Sequence, residues 1–270
     1  MIEKAYAKVN LTLEITGLKD GYHLLESIMV PVSIYDTLTF ELSDKDEVIS
    51  NVPIRNNNVY KAIDLFKETF NIKKHFKITI DKQIPIGSGL GGSSADISAT
   101  LRGLNKLLNL NAPVSELERM ANMLGSDTLF CLHNTRAFVY GRGDKLKCYP
   151  SSEKLSFLLI IPNTQIMTKA LFQVYDNEKE EHAYIGFEKY LIKEDIEYII
   201  KNGKNDLLNA ALTYNQMFQK IYHKLRSLDL NVKLSGSGPS LFIVSPTPGE
   251  MRKIGQILTK DFTTILVNEI

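Results

Sequence analysis

Residues 85 to 96 read Pro-Ile-Gly-Ser-Gly-Leu-Gly-Gly-Ser-Ser-Ala-Asp, a segment that no long helix or strand can contain. Glycine loses more backbone freedom on ordering than any other residue, so four glycines this close together force a turn and make separate elements of the chain on either side. Ahead of the turn, Phe76 to Ile80 alternates as a short strand. Behind it, Ile97, Leu101, Leu104 and Leu108 recur at three and four residues, which predicts a helix beginning near Ser93, with Ser93 and Asp96 at capping-box spacing. A glycine-rich strand-to-helix turn brings backbone N–H groups to the positive end of a helix, which is an anion cradle in outline. A nucleotide phosphate is its natural guest.

Gly87, Gly89 and Gly92 satisfy G-x-G-x-x-G, but a dinucleotide site wants an acidic residue roughly 20 positions later. Ala112 and Pro113 stand there instead. A P-loop would follow its last glycine with lysine, whereas Gly92 is followed by Ser93. The His-Arg-Asp and Asp-Phe-Gly segments of protein kinases are missing from the chain. On this loop alone, a purely structural turn with Ser93 as N-cap stays open beside a phosphate site.

The rest of the chain reads as mixed α and β. Ala5, Ala7, Val9, Leu11, Leu13 and Ile15 alternate along one strand, putting Lys8 and Asn10 on its other face. Asp20-Gly21 signals a hairpin that returns as Tyr22 to Val32, with a further strand at 37–42 and a helix at 58–70. A helix between Pro113 and Gly125, with Ser115 and Glu118 as its capping pair, delivers Ser126 and Asp127 into a loop. Ala137 to Tyr140 is a strand, and 141–144 a turn. Beyond a boundary at 149–153 come a strand at 155–161, a solvated charged loop at 176–181 and a helix at 205–225. A strand-turn-strand at 231–244, a helix at 251–258 and a strand at 263–267 complete the chain.

At 270 residues with 44% hydrophobic and 23% charged side chains, the composition fits two ordinary globular domains, expected at 1–152 and 153–270. The net charge of +1 provides no global field for nucleic acid or an anionic membrane, so neither is an expected partner. Cys131 and Cys148 lack the spacings of a zinc ribbon or disulfide framework, and no apolar run reaches the roughly 18 residues that cross a bilayer. No cleaved signal is expected, and the expected location is the cytoplasm.

Pro85-x-x-x-Gly89-Leu90-Gly91-Gly92-Ser93-Ser94 resembles the phosphate loop of the GHMP kinases. The resemblance runs on through Ala7-Lys8-Val9-Asn10-Leu11, Asp20-Gly21-Tyr22-His23, Gly125-Ser126-Asp127 and Leu234-Ser235-Gly236-Ser237-Gly238-Pro239. Gly-Tyr-His after the first hairpin is similar to one branch in particular, which phosphorylates the 2-hydroxyl of a cytidine-diphosphate-linked methylerythritol in isoprenoid precursor synthesis. That resemblance implies a two-domain α+β fold, with an N-terminal part like domain 2 of ribosomal protein S5 and a ferredoxin-like C-terminal part.

It also implies roles for the matched residues. Asp127 would be the base on the acceptor hydroxyl, with Lys8 beside it. Pro85, Gly87, Gly89, Leu90, Gly91, Gly92, Ser93 and Ser94 would cradle the phosphates of ATP, with Ser94 near a Mg²⁺ ion. Asn10, Tyr22, His23, Arg142, Thr168 and Phe172 would hold the substrate, the aromatic groups around its cytosine. Ser235, Gly236, Ser237 and Gly238 would form the C-terminal glycine motif, although a plain hairpin turn fits that spacing equally well. The implied partners are small molecules, and the implied state is a monomer or weak homodimer.

Two departures stand out. Ser93 occupies the place of a third glycine in the loop, and Asp127 is followed by Thr128-Leu129 rather than an aliphatic residue and proline. Another GHMP kinase of homoserine or mevalonate type, or a weakened nucleotide-binding homologue, therefore remains open at this point.

Overall fold

A computed structural model gives the structure of residues 1–178 and 183–270. The first strand, β1 (Ile2–Asn10), carries the expected alternation but stops short of Ile15, and β2 (Glu14–Lys19) follows. The break has a cause in the backbone: Leu11 and Leu13 donate their N–H groups to the carbonyls of Ile28 and Lys204, each at 2.8 Å. The supposed polar face is also buried, since Lys8, Asn10, Thr12 and Glu14 are all shielded from solvent.

The strands expected at 22–32 and 37–42 form one 22-residue strand, β3 (Tyr22–Ser43). Then come β4 (Glu47–Ser50), α1 (Val59–Phe70), β5 (His75–Asp81), α2 (Gly92–Leu107) and α3 (Val114–Leu124). Neither expected capping box forms. Gly91 is the N-cap of α2 in the left-handed region, and Asp96 is drawn to Lys82 instead. Pro113 is the N-cap of α3, while Glu118 pairs with His133 at 2.8 Å.

A short helix, α4 (Thr128–His133), stands where a loop was expected, with Asp127 as its N-cap. It is followed by β6 (Ala137–Gly141), β7 (Lys145–Cys148), β8 (Ser156–Ile161) and α5 (Thr168–Glu178). Of the charged stretch expected as a loop, Asp176 to Glu178 is the last part of α5, and 179–181 lies outside the described residues. Two short helices without a clear periodic signal follow, α6 (Glu188–Ile192) and α7 (Ile196–Asn202). The single helix expected over 205–225 is two, α8 (Leu208–Tyr214) and α9 (Gln216–Arg226). Asn215 separates them in an extended conformation, and its side chain caps α9 by accepting from Phe218 N–H at 2.9 Å. β9 (Lys233–Leu234), β10 (Leu241–Ser245), α10 (Pro248–Leu258) and β11 (Thr263–Asn268) complete the fold.

The chain divides into two compact units that interleave in sequence. The first comprises Met1–Lys8, Ile34–Ile84 and Gly91–Asn134. Here α1 connects the parallel pair β4 and β5, and β5 runs antiparallel to the later half of β3. Phe40, Phe66 and Phe76 are fully buried, each contributing about 1.5–3 kcal/mol relative to exposure.

The second unit comprises Val9–Ser33, Pro85–Leu90 and Thr135–Ile270. β2 and the earlier part of β3 form a hairpin whose turn, Asp20-Gly21, has positive φ at both residues, as a type I′ turn requires. β3 also pairs with β6 in a register that sets Leu25 opposite Gly141, which brings the 141–144 turn beside the hairpin. An antiparallel sheet in the order β11-β8-β10-β9 has the strand order of a split β-α-β, ferredoxin-like arrangement. Leu158, Ile160, Leu171, Leu207, Phe218 and Leu225 are among its core residues. Among the described residues no helix is long and apolar enough to cross a membrane.

Candidate active site

In the first unit, β1 and the turn before α4 bring two charged side chains together. Lys8 Nζ lies 3.2 Å from Asp127 Oδ2, with the lysine side chain 4% exposed and the aspartate 36%. Asp127 occupies an N-cap position yet makes no side-chain cap hydrogen bond, so its carboxylate is turned to Lys8 rather than to its own helix. A half-exposed carboxylate beside a buried cation can reach a substrate hydroxyl and accept its proton, while the cation stabilises the developing alkoxide.

The later part of the phosphate loop lies beside Lys8. Gly91 has φ +75°, and a Cβ there would stand 2.8 Å from Lys8 Cγ, so both conformation and space demand glycine. α2 starts immediately after with no acidic residue in its first turn, leaving its N-terminal amides a favourable seat for an anion. Ser93 is exposed, with its hydroxyl 3.4 Å from Asn58 Nδ2. Ser94 is tied to the loop carrying Asp127 through Ser98, whose hydroxyl lies 2.9 Å from the Ser94 carbonyl and 2.7 Å from that of Thr128. Gly92 and Lys82 approach each other at the base of the turn.

The earlier part of the loop packs within the second unit against the C-terminal glycine motif. At Gly89, with φ +79°, a Cβ would stand 2.6 Å from the Ser235 carbonyl and 2.8 Å from that of Gly238. Ser240 N–H donates to the Ser88 carbonyl at 3.0 Å, and the Ser235 hydroxyl donates to the Gly89 carbonyl at 3.4 Å. Gly236 and Gly238 both have positive φ. Leu90 is buried, Pro85 is half-buried and Gly87 is exposed.

The same unit gathers the residues expected around a base. Tyr22 is exposed at the hairpin tip, with the Arg142 guanidinium 4.5 Å from its ring centroid and 2.7 Å from Asp20 Oδ2. The His23 ring stacks on Phe172 with centroids 4.6 Å apart and 22° between planes. Thr168 and Ser237 share a hydrogen bond at 2.7 Å between hydroxyls, so α5 and the glycine motif meet. Asn10 is buried and donates to the Ser27 hydroxyl at 2.8 Å, which makes it a brace between β1 and β3.

Several contributing residues escape a linear reading. Asn205 donates to the carbonyls of Leu234 and Gly236 at 3.0 and 2.8 Å, holding the glycine motif open. Asp176 is hydrogen-bonded to His23 at 2.7 Å. Lys82 lies between two buried carboxylates, Asp36 at 2.5 Å and Asp96 at 2.7 Å, pinning α2 next to the phosphate loop. Burial, reinforced by Asp36, pushes the Asp96 carboxyl up to about 7 against the opposing pull of Lys82. No local spacing announces these partners, because each acts across the fold.

Comparison with known proteins bears on the family and the fold. Residues 57–142 match the GHMP kinases N terminal domain. The 4-diphosphocytidyl-2-C-methyl-D-erythritol kinase of Enterococcus faecalis is 36% identical over 251 residues, covering 90% of this chain and 89% of the relative. A crystal structure of 4-(cytidine 5'-diphospho)-2C-methyl-D-erythritol kinase superposes with a TM-score of 0.81 at 26% identity, covering 99% of this chain and 98% of the other. A homoserine kinase from Cytophaga hutchinsonii shares the fold at a TM-score of 0.63 and 19% identity, with coverage of 98% and 94%.

Fold and loop together define a two-domain GHMP kinase, an ATP-dependent enzyme acting on small molecules. The relatives at this identity and coverage narrow the class. The chain belongs to the 4-diphosphocytidyl-2-C-methyl-D-erythritol kinase family.

Proposed function

We propose that this chain transfers the γ-phosphoryl group of ATP to the 2-hydroxyl of 4-diphosphocytidyl-2-C-methyl-D-erythritol, in the methylerythritol phosphate route to isoprenoid precursors. The observation that carries the reading is the pairing of Lys8 with Asp127 at 3.2 Å in a chain of this family. Phosphoryl transfer asks little covalent chemistry of a protein; it asks for positioning and for charge where charge develops. Asp127 takes the proton of the 2-hydroxyl as that oxygen attacks, and Lys8 holds the carboxylate in place and offsets the alkoxide charge. The backbone from Pro85 to Ser94, including Gly87, Gly89, Leu90, Gly91, Gly92 and Ser93, receives the phosphates together with the amides opening α2.

Mg²⁺ bound with a nucleotide takes most of its ligands from phosphate and water and needs one or two protein oxygens. The Ser94 hydroxyl beside the turn to Asp127 suits that hard cation, and Ser94 would hold it; the ion would lower the charge on the phosphates. Tyr22, His23 and Phe172 receive the cytosine, supported by Arg142, Thr168 and Asn10. Ser235, Gly236, Ser237 and Gly238 buttress the phosphate loop through Gly89. In sequence terms, 1–152 is the N-terminal and 153–270 the C-terminal GHMP domain. The chain works in the cytoplasm as a monomer or weak homodimer, without nucleic acid or membrane.

The deciding assay is ADP release with ATP and Mg²⁺, offered 4-diphosphocytidyl-2-C-methyl-D-erythritol, homoserine, mevalonate and galactose in parallel. Turnover confined to the cytidine substrate is expected. Turnover of another acceptor would keep the kinase and discard the substrate, and silence with all four despite ATP binding would overturn the enzyme.

A further inference from the structure

Helix α5 presents Thr168, Phe172 and Asp176 at successive spacings of four, with Tyr175 beside the last, so these side chains share one face. That face receives His23. Its imidazole lies flat on Phe172 and edge-on to Tyr175, with centroids 5.9 Å apart and planes at 84°. The histidine side chain is 15% exposed, and its Nε2 lies 2.7 Å from Asp176 Oδ1. Two aromatic neighbours fix the plane of the ring, and the carboxylate fixes which nitrogen faces it.

An ionised carboxylate can only accept, so the hydrogen of this contact sits on Nε2. In the neutral imidazole that leaves Nδ1 as an acceptor. The pairing edge of cytosine offers an exocyclic amine, a donor, where uracil offers a carbonyl oxygen, an acceptor. We infer that Asp176 is a positioning residue: it holds His23 in the tautomer that accepts from the cytosine amine, and so sets the preference of this pocket for cytosine over uracil. The inference rests on the cytidine reading of the pocket given above. Acceptor set against acceptor leaves both groups unpaired, which corresponds to a preference of about ten- to a hundredfold.

Two measurements on the full chain test it. Calorimetric titration with CDP and with UDP should give a CDP preference of at least about tenfold in the wild type. The preference should fall to near unity in Asp176→Ala and recover in part in Asp176→Glu, while Phe172→Ala should weaken both nucleotides together. Nitrogen-15 NMR of histidine-labelled protein should find His23 protonated on Nε2 in the wild type and mixed between its nitrogens in Asp176→Ala. A CDP preference that survives Asp176→Ala, or a wild-type His23 protonated on Nδ1, would overturn the role of Asp176 and leave the pocket standing. A wild type that binds neither nucleotide would overturn the cytidine pocket itself and this inference with it.

Discussion

Asp127 forgoes what its position offers. An aspartate at a helix N-cap ordinarily accepts from the second or third amide of the helix, worth about 1 kcal/mol. Here that bond is not made, and the side chain lies 3.2 Å from buried Lys8. A carboxylate held away from its own helix is available for proton transfer. Asp127→Asn keeps the size and the capping ability and loses the base, so kcat should fall by about 10² to 10⁴ while ATP affinity stays nearly constant. Steady-state kinetics beside equilibrium ATP binding separates the two, and an undiminished kcat would remove Asp127 from the role. Lys8 also explains why Gly91 is glycine, because the lysine stem runs where a Cβ would stand. The identity of both residues was legible in the sequence from the matched motifs. The crowding between them was not, since residues far apart in the chain meet only after folding.

Among the elements, the start of α2 shows where sequence patterns mislead. Ser93 and Asp96 have capping-box spacing, yet the helix is capped by left-handed Gly91 and Asp96 is buried against Lys82. A buried lysine outbids a backbone amide for a carboxylate, because leaving a charge unpaired in the interior costs far more than a missing cap. The arrangement has a consequence for stability against pH. Asp96 ionises at about 7 in the fold against an ordinary 3.8, so between those values the folded chain binds more protons than the unfolded one. Stability should therefore decline as pH rises through that window, by at most about 1.4 kcal/mol per unit from this group. Asp96→Asn should flatten the slope relative to wild type in urea denaturation between about pH 5 and about pH 7, and parallel slopes would refute it. The end of α5 teaches the complementary lesson. Its acidic residues read as a solvated loop, but Phe172, Val174 and Tyr175 pack on the core and carry the helix through Asp176.

At the scale of the whole molecule, the ferredoxin-like strand order and the two glycine motifs could be anticipated from motif resemblance, while periodicity alone gave only mixed α and β. What no local pattern revealed was the clamp between Arg136 and Glu269. Two hydrogen bonds at 3.0 and 2.6 Å join these buried side chains, and both also bond to the backbone of 153–155. Removing one partner strands the other charge, so Glu269→Ala should cost about 3–5 kcal/mol of unfolding free energy, read by denaturant titration. A loss below about 1 kcal/mol would mean that water replaces the carboxylate. The face of α5 has a different sort of importance. Phe172, Tyr175 and Asp176 fall within one eleven-residue helix anchored by fully buried Leu171, so one short stretch of the gene encodes the face on which His23 rests. Under the role proposed for Asp176, changes at that one outward-facing position can retune the choice of nucleotide while Leu171 keeps the helix on its core, which offers lineages, and anyone directing their evolution, a short route from one nucleotide handle to another.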